Sequence, residues 1–251
     1  MLFRSAAAKA LGDRALATLN RATVLSTVVV ATDEASYLDA ISRWTPTRRF
    51  PVLLDDGTPA GADAIGRFVR GFAPSAVYAY TMGAPPEEAR NGLVASLRFD
   101  RAVGRAWGLS SDTPQTKDIL AHWDSIGHIP PGVIVSDPRD GAWTAAVAIA
   151  AARGQPILWE TLPGSINAVM DVSDARAFCT RVETFCDASL HAWSGLGDQI
   201  EAVTICAAMP IKVQVGQTPA QGNKPAQRET VALTDLIGRH RDAPGATRQG
   251  R

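Results

Sequence analysis

Cysteine is scarce: three residues in a chain of 251 exclude a disulfide scaffold. Net charge is missing as well. Lys plus Arg and Asp plus Glu both count 25, so no whole-molecule field points to nucleic acid or an anionic membrane as partner. Long apolar runs are lacking. Residues 28–31 and 142–152 are the strongest, and the second contains Thr144 and stops at Arg153, far short of the about 20 residues that span a bilayer. An export signal keeps about 7–15 apolar residues unbroken near the start, where Arg4, Lys9, Asp13 and Arg14 stand here. The expected compartment is therefore the cytoplasm, or the cell surface if a leader precedes this chain. No phosphate-loop G-x-x-x-x-G-K-[ST] and no G-x-S-x-G nucleophile elbow occurs. What is present is 46% apolar and 20% charged residues, the composition of a folded chain with a sizeable core.

Periodicity divides that chain into alternating units. Leu11, Ala15, Leu16 and Leu19 predict an amphipathic helix over 5–20. A β-branched strand over 25–31, a helix over 34–44, a strand over 50–54, a helix over 60–71 with Ile65, Phe68 and Val69 inward, and a strand over 76–80 follow. Helices are then expected over 87–107 and 116–126, a strand over 133–135, an Ala-rich helix over 140–152 and a strand over 156–159. A helix over 173–193 with Ser173 as its N-cap and one bent strand or two over 203–215 complete the pattern. The order strand–helix–strand with short connections predicts an α/β fold with mainly parallel strands flanked by helices. The segment 217–251 reads as a linker, a possible short helix start at 233–237 and a disordered basic tail. Cys179 and Cys186 lie about 10 Å apart along one helix, too far for a disulfide, and Cys206 falls in an apolar run.

The pattern occurs twice. Residues 28–30 and 133–135 are 105 positions apart, as are Pro51-Val52-Leu53-Leu54 and Pro156-Ile157-Leu158-Trp159, and an aspartate, Asp33 or Asp137, follows the first strand of each. Two pseudo-repeated Rossmann-like halves, 1–110 and 111–216, are expected. In the first, Val28-Val29-Val30-Ala31, Tyr37-Leu38-Asp39-Ala40-Ile41-Ser42, Pro51-Val52-Leu53-Leu54 and Val77-Tyr78 stand in order. This order resembles the type 2 cell-wall-binding repeat of bacterial surface proteins, with a weaker echo over 132–160. The resemblance implies a non-catalytic module repeated in tandem that holds an anionic wall polymer. Where that family has Gly-Gly after the Val-Tyr strand, this chain has Ala79-Tyr80-Thr81-Met82-Gly83.

Ligands of parallel α/β sheets bind beyond the carboxyl ends of the strands. The candidate ligand-binding residues are therefore Thr32, Asp33, Asp55, Ser136, Asp137, Arg139 and Asp140, with Asp56 beside them. Carboxylates there can bind hydroxyls, coordinate Mg²⁺ or transfer protons. They can equally cap helices, and Ser136-Asp137-Pro138 fits a cap with proline in the first turn. His122 and His128 are six apart, off the four-residue spacing of helical metal ligands, so no metal is expected and no cofactor is identified. Gly195 and Gly197 follow a helix and read as its terminating turn. Trp44, Trp107 and Trp143 fall on inward faces, and Trp159 ends a strand. Two functions stay open: a non-enzymatic binding or scaffold protein, with a polymeric or small anionic ligand or a second copy as partner, and a hydrolase or transferase with strand-end aspartates in a cleft between the halves.

Overall fold

A computed structural model describes residues 24–83, 95–128, 130–160, 171–192, 202–208, 212–221, 225–232 and 235. The expected opening helix, the start of the helix over 87–107, the Gly195–Gly197 turn, the segment from 236 and the basic tail lie outside them. The chain divides into two compact units, Met1–Thr113 and Pro114–Arg251. The fold is α/β, with two three-stranded parallel sheets.

In the first unit, β1 (Thr27–Ala31), α1 (Glu34–Ser42), β2 (Val52–Leu54), α2 (Pro59–Phe72), β3 (Ala76–Tyr80) and α3 (Ala95–Ala106) follow one another. β1 is central, between β2 and β3. Its β-branched residues suit a strand enclosed in a sheet, and Val28 and Ala31 are fully buried. Asp33 starts α1 by accepting the Ser36 N–H at 2.7 Å. Tyr37, Leu38, Ala40 and Ile41 form the buried face of α1, which packs on β1, β2 and α3. Thr58 caps α2 through the Gly61 N–H at 3.0 Å, and Pro59 follows at a position whose N–H needs no partner.

The second unit runs α4 (Thr116–Ser125), β4 (Gly132–Ser136), α5 (Trp143–Arg153), β5 (Ile157–Trp159), α6 (Val172–Ala192), β6 (Ala202–Cys206), β7 (Lys212–Thr218) and β8 (Gln227–Ala232). β4 is central, between β5 and β6. The pairings reproduce those of the first sheet position for position. Val29 pairs with Val52 and Ala31 with Leu54. Ile134 pairs with Ile157 and Ser136 with Trp159, each 105 positions further on. α5 packs on all three strands, and α6 packs on α4 and β7.

Three expectations change. The stripe of α2 is not inward: no residue of that helix is buried, and Phe68 and Phe72 are 39% and 36% exposed. α6 starts one residue early, because the Asp171 carboxylate rather than the Ser173 hydroxyl reaches the free N–H groups, those of Ser173 at 2.5 Å and Asp174 at 3.1 Å. Of the two readings of the apolar stretch at 203–215, one bent strand or two, the structure has two, β6 and β7, in different sheets. β7 pairs antiparallel with β8, so part of the segment read as a linker is the outer strand of a hairpin. The tryptophans Trp44, Trp107 and Trp143 are buried, as are Cys179 and Cys206. Among the described residues, no helix is long and apolar enough to cross a membrane.

Candidate functional site at the strand exits

Thr32, Asp33 and Asp55 gather at the exit of the first sheet. The Thr32 hydroxyl lies 2.9 Å from that of Thr81 and joins the ends of β1 and β3. It also reaches Asp33 Oδ2 at 3.4 Å. The Ser36 N–H, more than any other group, favours the charged form of Asp33 and lowers its pKa. Asp55 Oδ1 accepts the Gly57 N–H at 2.9 Å. Asp56 Oδ1 accepts the hydroxyl of Thr58 at 2.7 Å and its N–H at 2.9 Å, and the Thr58 hydroxyl leads the downward shift of its pKa. The Asp56 carboxylate rests against the start of α2, where a Cβ on Gly61 would sit 2.1 Å from Oδ1. Only glycine permits that approach.

An open depression of about 410 Å³ runs past Thr32, Asp33, Leu54, Asp55 and Asp56. A second, of about 310 Å³, adjoins it at Asp33 and Glu34 and extends to Met82 and Arg98. Arg98 donates to Glu34 Oε1 from Nε at 3.0 Å and from Nη2 at 2.5 Å. The ledge thus carries four carboxylates against one guanidinium that is already engaged by one of them.

Behind it, the Tyr80 hydroxyl donates to Asp39 Oδ2 at 2.5 Å, and Arg43 donates to the same oxygen at 2.8 Å and to the Tyr80 oxygen at 3.1 Å. The hydrogen bond to Asp39 leads the rise in the Tyr80 pKa. Asp39 belongs to the motif Tyr37–Ser42, whose Tyr37, Leu38, Ala40 and Ile41 build the core, so that motif joins α1 to the edge strand β3.

The second sheet's exit is built differently. Ser136 is fully buried and donates to the Cys206 carbonyl at 2.7 Å, joining β4 to β6. Asp137 accepts the Arg139 N–H at 2.9 Å, its Nε at 3.1 Å and its Nη2 at 2.9 Å. It clamps a turn rather than capping a helix, because α5 begins only at Trp143. Asp140 accepts N–H groups of Ala142 and Ala208, both at 2.9 Å, and so fastens the β4 loop to the end of β6. Glu160, nearly buried, is held by two donors of Arg181. Every candidate residue of this unit joins one piece of the chain to another.

Sequence reasoning passed over Glu34, Arg98 and Thr81. Glu34 directly follows a chosen residue and was within reach, whereas Arg98 is 64 positions away and no local spacing announces it. His128 Nε2 lies 3.1 Å from the Gly154 carbonyl, with its ring edge-on to Trp123. Among the described residues, no group of three or more His, Cys, Asp or Glu is placed to hold a metal ion. No family model matches the chain, and neither a curated protein nor a solved structure matches it.

Proposed function

We propose that this chain is a non-enzymatic binding or scaffold protein, built from two related Rossmann-like modules, which holds a hydrogen-bond-donating ligand at the strand exit of its first unit. The observation that carries this reading is how the strand-end acids are used. Asp33, Asp55, Asp56, Asp137 and Asp140 all accept backbone N–H groups of their own chain. A general base needs a pKa near the working pH and a lone pair aimed at substrate, and the pKa of Asp33 is displaced the other way.

Charge decides the ligand class. With Asp33, Glu34, Asp55 and Asp56 around Arg98, the ledge repels an anionic polymer and favours hydroxyls or amines, which can donate to the carboxylate oxygens left open. Such a ligand departs from the anionic polymer implied by the wall-binding resemblance.

Calorimetry on the full chain tests this with three probes: a soluble neutral oligosaccharide, spermidine and polyphosphate. The oligosaccharide or spermidine is expected to bind, and Asp33→Asn with Asp55→Asn to weaken that binding about tenfold with a smaller loss of melting temperature than Asp33→Ala, because asparagine preserves a cap. Tighter binding of polyphosphate contradicts the reading. So does turnover of the oligosaccharide that disappears in Asp33→Asn.

A further inference from the structure

The loop that enters β2 holds two hydrogen-bond donors away from water. Between α1 and β2 the chain turns at Pro46-Thr47, and Thr45 and Arg48 exchange backbone hydrogen bonds across that turn, at 2.9 and 3.2 Å. Side chains alternate along such a ribbon, so Trp44 and Arg49, which flank the pair, share the side opposite to Thr45 and Arg48. Exposure follows the same alternation. Thr45 and Arg48 are exposed, whereas Trp44 is 7% exposed and Arg49 only partly open. Phe50 packs edge-on against the Trp44 ring, centroids 6.3 Å apart.

Trp44 Nε1 and Arg49 Nε are both shut off from solvent, and among the described residues neither meets an acceptor. An indole and a guanidinium can only donate, so the two cannot satisfy each other, and a buried donor left unmet costs stability. Elsewhere in this unit Arg43, Arg98 and Arg105 each hold a carboxylate. Burial, with no acid to offset it, lowers the pKa of Arg49, yet a guanidinium stays charged. The second unit has Gly154 at the equivalent place, 105 positions on, with no side chain to offer.

We propose that Trp44 Nε1 and the Arg49 guanidinium form a subsite for a carboxylate monoanion. One guanidinium balances one negative charge, and the two oxygens of a carboxylate can take both donors. A phosphate dianion would leave charge and oxygens unmet. The subsite lies ahead of β2, whereas the acidic ledge lies beyond it, so this inference stands apart from the ligand reading above.

The indole N–H resonances of the ¹⁵N-labelled full chain read it out, that of Trp44 being the one Trp44→Phe removes. At constant ionic strength, acetate and N-acetyl-alanylalanine are expected to move that resonance saturably; tighter binding of the first names a small acid as the source, of the second a chain terminus. Arg49→Gln is expected to weaken both about tenfold or more, while Arg48→Gln changes neither and both variants keep whatever binding the ledge shows for oligosaccharide or spermidine. Should Arg49→Gln fail to fold, Arg49→Lys, which keeps the charge but loses the planar fork, is expected to weaken them several-fold. Four results overturn the proposal: no saturable shift, an equal shift with chloride, a shift that survives loss of the guanidinium, or inorganic phosphate bound more tightly than either carboxylate.

Discussion

α2 and α6 follow the second strand of their respective sheets, and both carry one aromatic-centred stripe. In α6 Phe178 is sealed; in α2 Phe68 is 39% exposed. The sheets of the two units share strand order and register, so pairing alone does not decide how completely a helix is covered. The flanking elements do. The second unit places α4 and the β7–β8 hairpin beside its helix, and burying a large apolar side chain there contributes about 1.5–3 kcal/mol relative to leaving it in water.

The largest expected effect sharpens this contrast. Phe178→Ala should cost about 3–5 kcal/mol in denaturant unfolding, because the cavity it leaves is enclosed. A loss below about 1 kcal/mol would break the claim that α6 is the sealed member of the pair.

The ion pairs beyond the second strands and central strands offer the next test. Glu160 is 8% exposed at its side chain and Glu34 40%. Arg181→Met strands a nearly buried carboxylate and should cost about 1–3 kcal/mol, discounted from the fully buried case because Arg181 itself is half exposed. Arg98→Met should cost about 0–1 kcal/mol. Equal losses in the two unfolding curves would contradict the difference in burial.

Asp33→Ala removes a cap and should lower stability by about 1 kcal/mol. The pKa of Asp33 is lowered in the folded state, so its contribution is complete above the unfolded value of about 3.9 and is lost as pH falls through the folded value. The stability of Asp33→Asn should therefore fall less than that of the parent on acidification from pH 5 to 2, measured by urea midpoints.

The smallest effect compares two helix ends. Ala73 ends α2 at φ 49°, and Gly154 ends α5 at φ 61°, each donating its N–H to the carbonyl four residues back. A left-handed alanine is strained and a glycine is not. Ala73→Gly should stabilise by about 0.5–1 kcal/mol and Gly154→Ala should destabilise by a similar amount; thermal melts that move in the same direction would refute this.

Local signals made much of the fold legible. Proline before Val52 and before Ile157, β-branched runs at 27–31 and 132–136, and Asp33 ahead of an apolar period located strands, turns and a cap, because each depends on neighbours in sequence. What covers a face depends on elements far along the chain, so the open stripe of α2 could not be read from its own spacing. The candidate site divides in the same way. Asp33 and Asp55 sit at a strand exit, as parallel topology requires, but Arg98 reaches Glu34 across 64 positions. Asp140 reaches the Ala208 N–H across 68, and nothing local distinguishes such a fastening from a ligand site.

Hydrogen exchange on the full chain reads the contrast between the two helices most directly. Amides of 175–182 are expected to exchange about tenfold or more slowly than those of 65–72; equal protection of the two stretches would contradict the difference in burial between Phe178 and Phe68.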